Sequence, residues 1–94
     1  MDKPLVAFHE LRNLGLVSEK MLIAAGIDTV DGLRQLGSVA AYLQVRQSGQ
    51  NPGLNLLYAL EAALMDVHWL DLPYERKSEL LLEMDAMEDM IRHR

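Results

Sequence analysis

Two short stretches of this chain have the residue types needed to hold an anion. Residues 15–20 read Gly-Leu-Val-Ser-Glu-Lys, and residues 37–39 read Gly-Ser-Val. In each, a glycine sits just ahead of a segment suited to begin a helix. The first N–H groups of a helix have no acceptor within it, and the helix dipole adds partial positive charge, so such a start can face a phosphate oxygen. Gly15, Leu16, Val17, Ser18 and Lys20 form the first candidate, and Gly37 and Ser38 the second. Arg12, Arg34 and Arg46 are the further cations for phosphate contact. Val17 and Val39 stand two positions after the glycines, where a Cβ limits close approach of a nucleic-acid backbone.

Other chemistry finds little support. His9, His68 and His93 lie far apart, and no His-x-x-x-His or Glu-x-x-His spacing puts two metal ligands on one helical face. Ser18, Ser38, Ser48 and Ser78 fall at expected helix starts or turns, where capping accounts for them. No glycine-rich nucleotide loop occurs. Glu61 lies in an apolar segment without a base, nucleophile or metal partner, and reads as a structural carboxylate tied to a helix end or to an arginine such as Arg46. His68-Trp69 reads as a packed corner, with Trp69 structural. The expectation is a binding protein with no enzymatic activity, cofactor, metal or small-molecule substrate.

Charge ranks the partners. The net charge of the 94 residues is −5, but its distribution is uneven. Through Gly53 five acids balance five bases; from Leu54 onward nine acids face four bases. Duplex DNA attracts proteins through cations placed on its phosphates, so the second half would repel it. The first half lacks a lysine cluster and interleaved aromatics. Contact with another protein is therefore the first reading, and DNA held by the two glycine hairpins the alternative.

The elements that must position these residues are helical. Half the residues are apolar, enough to bury a core, and the absence of cysteine excludes disulfides and thiolate metal sites. No basic start followed by an apolar run marks a signal peptide, and no apolar stretch is long enough to span a membrane. A cytoplasmic protein is expected. Strand-like alternation is nearly absent. A short helix is expected over 8–14, stopped at Gly15. Ser18 is expected to cap a second ending at Gly26, Thr29 a third stopped by Gly37, and Ser38 a fourth reaching about Gln47. Residues 48–53 form a loop. Leu56, Leu57, Leu60, Ala63 and Leu64 make 54–66 apolar nearly all round, which predicts the central helix of the bundle. Pro73 opens a last helix to about Ile91. The fold expected is all-α, a small bundle of five to six helices around that central one, and 1–94 form one domain.

In the last helix Leu80, Met84, Met87 and Ile91 share one face, broadened by Leu81 and Met90. This stripe either packs on the protein's own core or offers a seam to a partner helix or a second copy. Leu80, Met84, Met87, Met90 and Ile91 are the seam candidates for a homodimer.

Three segments together resemble a known family. They are Leu14-Gly15-Leu16-Val17-Ser18-Glu19-Lys20-Met21-Leu22 with Ala25-Gly26-Ile27, then Leu36-Gly37-Ser38-Val39-Ala40-Ala41-Tyr42-Leu43, then Leu54-Asn55-Leu56-Leu57-Tyr58-Ala59-Leu60-Glu61 with His68-Trp69 and Leu72-Pro73. They look like the C-terminal domain of the TfoX (Sxy) regulators of bacterial DNA uptake and natural transformation, over about residues 11–82. The resemblance implies a helical domain with a helix-hairpin-helix-like N-terminal half and a role in competence gene regulation. It transfers no reaction. The separate N-terminal domain of the full regulators has no counterpart in these residues, and 83–94 read as an acidic, Met-rich extension of the last helix.

Overall fold

The structure is a computed structural model that describes Leu11 and residues 13–92. Four α-helices follow in order: α1 (Leu16–Ala24), α2 (Val30–Gln47), α3 (Leu54–Met65) and α4 (Tyr74–Arg92), with a 3-10 turn at Trp69–Asp71 between the last two. No strand occurs among the described residues. The all-α class stands, but the expected five to six helices become four. Gly37 explains one difference. The break expected there is present, since φ 84° and ψ 167° are not helical, but the two helical segments meet directly at this kink and together make one α2. The helix expected over 8–14 lies mostly outside the described residues; Leu11 and Asn13 form a bend and a turn.

Local chemistry sets most of the ends. Thr29 starts α2 as expected, its Oγ1 accepting from the Gly32 N–H at 2.9 Å. Gly26, at φ 91°, closes α1: its N–H reaches the Ile23 carbonyl and that of Ile27 the Leu22 carbonyl, with Leu22 and Ile27 both buried behind it. Asp66 does the same for α3 in a left-handed conformation, and the Val67 N–H donates back to the Ala62 carbonyl. Ser18 does not cap α1. The helix begins at Leu16, behind Gly15, and among the described residues no side chain caps its first N–H groups. Leu16 and Val17 are thus already helical, which places Ser18 inside the first turn.

The hub is α2, not α3. It packs against α1, α3 and α4, whereas the main neighbours of α3 are α2 and the 3-10 turn. After the kink Ser38, Val39, Ala41, Tyr42, Leu43 and Val45 are all buried, Ala40 and Gln44 are half-buried, and only Arg46 and Gln47 at the end are exposed. Leu57, Leu60 and Ala62 of α3 are fully buried against the same core, but Leu54, Asn55 and Met65 remain exposed. The sequence conceals this because α2 and the loop after it carry polar residues that find partners inside the fold. The Gln44 side-chain amide donates to the Ala25 carbonyl at 2.9 Å and ties the end of α1 to α2. Gln50 donates to the Met21 carbonyl at 3.0 Å. The Tyr42 hydroxyl donates to the Pro52 carbonyl at 3.2 Å, and burial pushes its pKa above the usual phenol range. Polar residues normally mark a wet face, but here each replaces a water contact with a protein one.

Candidate interaction site at the first hairpin

The two glycine segments have opposite surroundings. At the first, Gly15 holds an extended conformation, φ −105° and ψ −169°, and Leu16 and Val17 on the first turn of α1 are 61% and 71% exposed. At the second, Ser38 and Val39 are only 4% and 5% exposed. The Ser38 hydroxyl donates to Glu61 Oε1 at 2.7 Å. The other oxygen of Glu61 accepts from Arg76 Nε at 2.8 Å, and Arg76 also pairs with Glu79 at 2.9 Å and Glu83 at 3.1 Å. The hydrogen bond from Arg76 to Glu61, then that to Glu79, pushes the arginine pKa further above its already high value. Ser38 is therefore not the expected cap. It joins the α2 kink to α3, and Arg76 carries the connection on to α4. Glu61 is structural, as expected, but its arginine is Arg76 rather than Arg46. A phosphate brought to Ser38 would meet a buried site and a carboxylate.

Among the described residues, Lys20 is the one candidate cation that lies within either segment. Arg12 lies outside the described residues. Lys20 is exposed on α1. Arg34 is exposed, 3.9 Å from Asp31 in the preceding turn. Arg46 pairs with Glu88 at 2.7 Å and lies over the Tyr42 ring at 5.9 Å, so it fastens α2 to α4. Along α4, Leu80 is fully buried and Met84 and Met87 are half-buried against the same core, while Met90 and Ile91 are exposed. Most of the C-terminal stripe thus meets the protein's own helices.

Beside the first hairpin lies a groove of about 310 Å³, lined among others by Asn13, Val17, Met21, Leu56, Ala59 and Trp69. First-turn residues of both α1 and α3 reach it. None of its lining side chains carries a formal charge. Asn13, at φ 73°, builds the rim: its amide nitrogen donates to the Val67 carbonyl at 2.7 Å, and its Oδ1 accepts from the Trp69 N–H at 2.8 Å. These two bonds hold the turn leading into α1 against the connector after α3, a separation of more than fifty residues that no local pattern announces. Trp69 is not a packed corner. Its ring is partly exposed and lies beside His68, whose Nδ1 accepts from the Leu70 N–H at 3.1 Å. Sequence reasoning missed Asn13 and Arg76. For Arg76 a signal existed, in Glu79 and Glu83 one and two turns further along the same helical side.

Helices gathered on a kinked hub, with an uncharged groove of mixed apolar and polar lining beside the first hairpin, define a small all-helical domain. Residues 7–84 match the family model of the TfoX C-terminal domain, and the chain belongs to that family. It is similar to Protein Sxy of Escherichia coli (strain K12), with 32% identity over 78 residues; the match covers 83% of this chain and 37% of Sxy. The chain thus corresponds to little more than a third of that relative. Among solved structures, a triclinic crystal form of a protein from Listeria monocytogenes superimposes with a TM-score of 0.76 at 36% identity, covering 86% of this chain and 92% of the other. A tetragonal form of a Listeria monocytogenes protein of unknown function gives a TM-score of 0.75, also at 36% identity, over 83% and 96% of the two chains.

Proposed function

We propose that this domain is a non-enzymatic regulatory module of the competence-regulator type, and that it works by contact with a protein through the groove beside the first hairpin. The observation carrying this reading is the chemistry of the exposed face. Leu16 and Val17 stand out from the start of α1, Trp69 lines the same groove, and no charged side chain lies among the groove's walls. Protein contact surfaces centre on desolvated apolar and aromatic groups, with charge at the rim. A phosphate-binding face needs the reverse, cations around an open helix start. Lys20 is near in sequence, but Arg46 is engaged by Glu88 and the second hairpin is closed by Glu61.

The same comparison moves self-association away from the methionine stripe. Leu80, Met84 and Met87 are used within the domain, which leaves Met90 and Ile91 as too short a seam for a coiled coil. The test against DNA is a salt series with labelled duplex and single-stranded DNA, followed through the emission of Trp69, the single tryptophan. The expected result is no binding even at low salt. A complex that weakens steeply as salt rises, and is lost in Lys20→Ala, would overturn the protein-contact reading.

A further inference from the structure

The groove beside the first hairpin is uncharged but not wholly apolar. Val17, Met21 and Leu56 supply apolar wall, while Ser18, Asn55 and Trp69 bring a hydroxyl, a carboxamide and an indole N–H to the same opening. These three come from three separate elements, α1, α3 and the 3-10 turn. None of the three side chains makes a hydrogen bond to another described residue. Ser38, Tyr42 and Gln44 behave differently, each bonding within the fold. Asn13 at the rim likewise commits both ends of its amide to the backbone of Val67 and Trp69.

An occupant that covers the three groups without offering partners loses free energy for each one taken out of water. A helix has its main-chain groups bonded internally and meets the wall with side chains alone. An extended chain differs, because every residue brings a free N–H and a free C=O. The Asn55 carboxamide has the same donor and acceptor as a peptide group and bonds both; the Ser18 hydroxyl donates or accepts, and the Trp69 indole donates to a carbonyl. Side chains of such a segment alternate between two faces, so one enters against Val17, Met21 and Leu56 while its neighbours stay in solvent. That side chain must be apolar, since the lining holds no formal charge to pair with one.

On the footing that the groove is a protein contact, we infer that its occupant is an extended, uncharged peptide segment, held through its main chain by Asn55, Ser18 and the Trp69 indole, with one apolar side chain against the wall. The test uses the full chain and a short labelled peptide of serine and threonine with a central leucine, capped at both ends. Three relatives of that peptide accompany it: one N-methylated at the amides flanking the leucine, one with glutamate in place of the leucine, and one locked as a helix by aminoisobutyrate. Binding is read by fluorescence anisotropy at low and physiological salt, with the emission of Trp69 as a second signal. The expected result is binding of the first peptide, changing less than twofold with salt, and at least tenfold weaker binding of the other three. Asn55→Leu should weaken the first peptide at least tenfold at an unchanged melting temperature, because residue 55 is exposed. Equal affinity in Asn55→Leu or for the N-methylated peptide would overturn main-chain recognition, and tighter binding of the glutamate peptide would give the groove to an anion instead. Equal binding of the helical peptide would also overturn the extended mode, and its loss in Val17→Asp would then keep the groove as a protein contact. Failure of all four peptides overturns the inference; the protein-contact reading falls with it when Val17→Asp also leaves the expression of DNA-uptake genes in the native cell unchanged.

Discussion

Leu14-Gly15-Leu16-Val17-Ser18 and Leu36-Gly37-Ser38-Val39-Ala40 look like two versions of one device, yet the fold gives them opposite tasks. The first begins a helix at the surface, with Leu16 and Val17 in solvent and a glycine without a side chain at its cap. The second lies within α2, where Ser38 is buried and hydrogen-bonded to a carboxylate that is itself held by an arginine. Even the glycines differ. Gly37 needs its positive φ, whereas Gly15 holds a conformation open to any residue, with nothing within 4 Å of where a Cβ would stand. A short motif therefore fixes a local backbone tendency, and the tertiary neighbours decide whether it becomes a surface or a joint.

The comparison can be broken most sharply at the valines. Val39→Asp should cost several kcal/mol, because it buries an unpaired charge in the hub, while Val17→Asp should move stability by no more than about 0.5 kcal/mol. Urea denaturation of the two variants measures both, and similar losses would erase the distinction. Next in size, Glu61→Ala strands the Ser38 hydroxyl and leaves Arg76 to its exposed partners, at a cost of roughly 1–3 kcal/mol. In a double-mutant cycle, Arg76→Ala should then add less than it costs alone. The glycines come third: Gly37→Ala should cost about 1–3 kcal/mol through backbone strain, and Gly15→Ala, unstrained at the N-cap of α1, should cost less than about 1 kcal/mol. Smallest are the caps, where Thr29→Ala should lower stability by about 1 kcal/mol and Ser18→Ala should leave the melting temperature nearly unchanged.

The same contrast shows what could be read from the residues. Thr29, Gly26 and Pro73 carry their roles in their own chemistry, so the ends they set fall where expected. The leucines of α3 correctly mark it as a core helix. They also draw attention from α2, whose Ser38 and Gln44 suggest an outward face but bond within the fold, while the exposed Arg46 reaches across to Glu88. Ser18 misleads for a related reason: a good capping residue does not cap when the helix can begin earlier, and Gly15 permits that start. The groove is the least legible part. It depends on Asn13 reaching Val67 and Trp69 across the whole length of α1, α2 and α3, a pairing set by tertiary packing rather than by any period in the sequence.

If the exposed hairpin is the working face and the buried one a joint, function and stability must come apart at Val17. The most direct measurement is the expression of DNA-uptake genes in the native cell carrying Val17→Asp, alongside the melting temperature of the purified variant. Expression lost with melting unchanged is the predicted result. Full expression from an intact variant would contradict the account, since the exposed apolar face beside Trp69 would then do nothing that the cell requires.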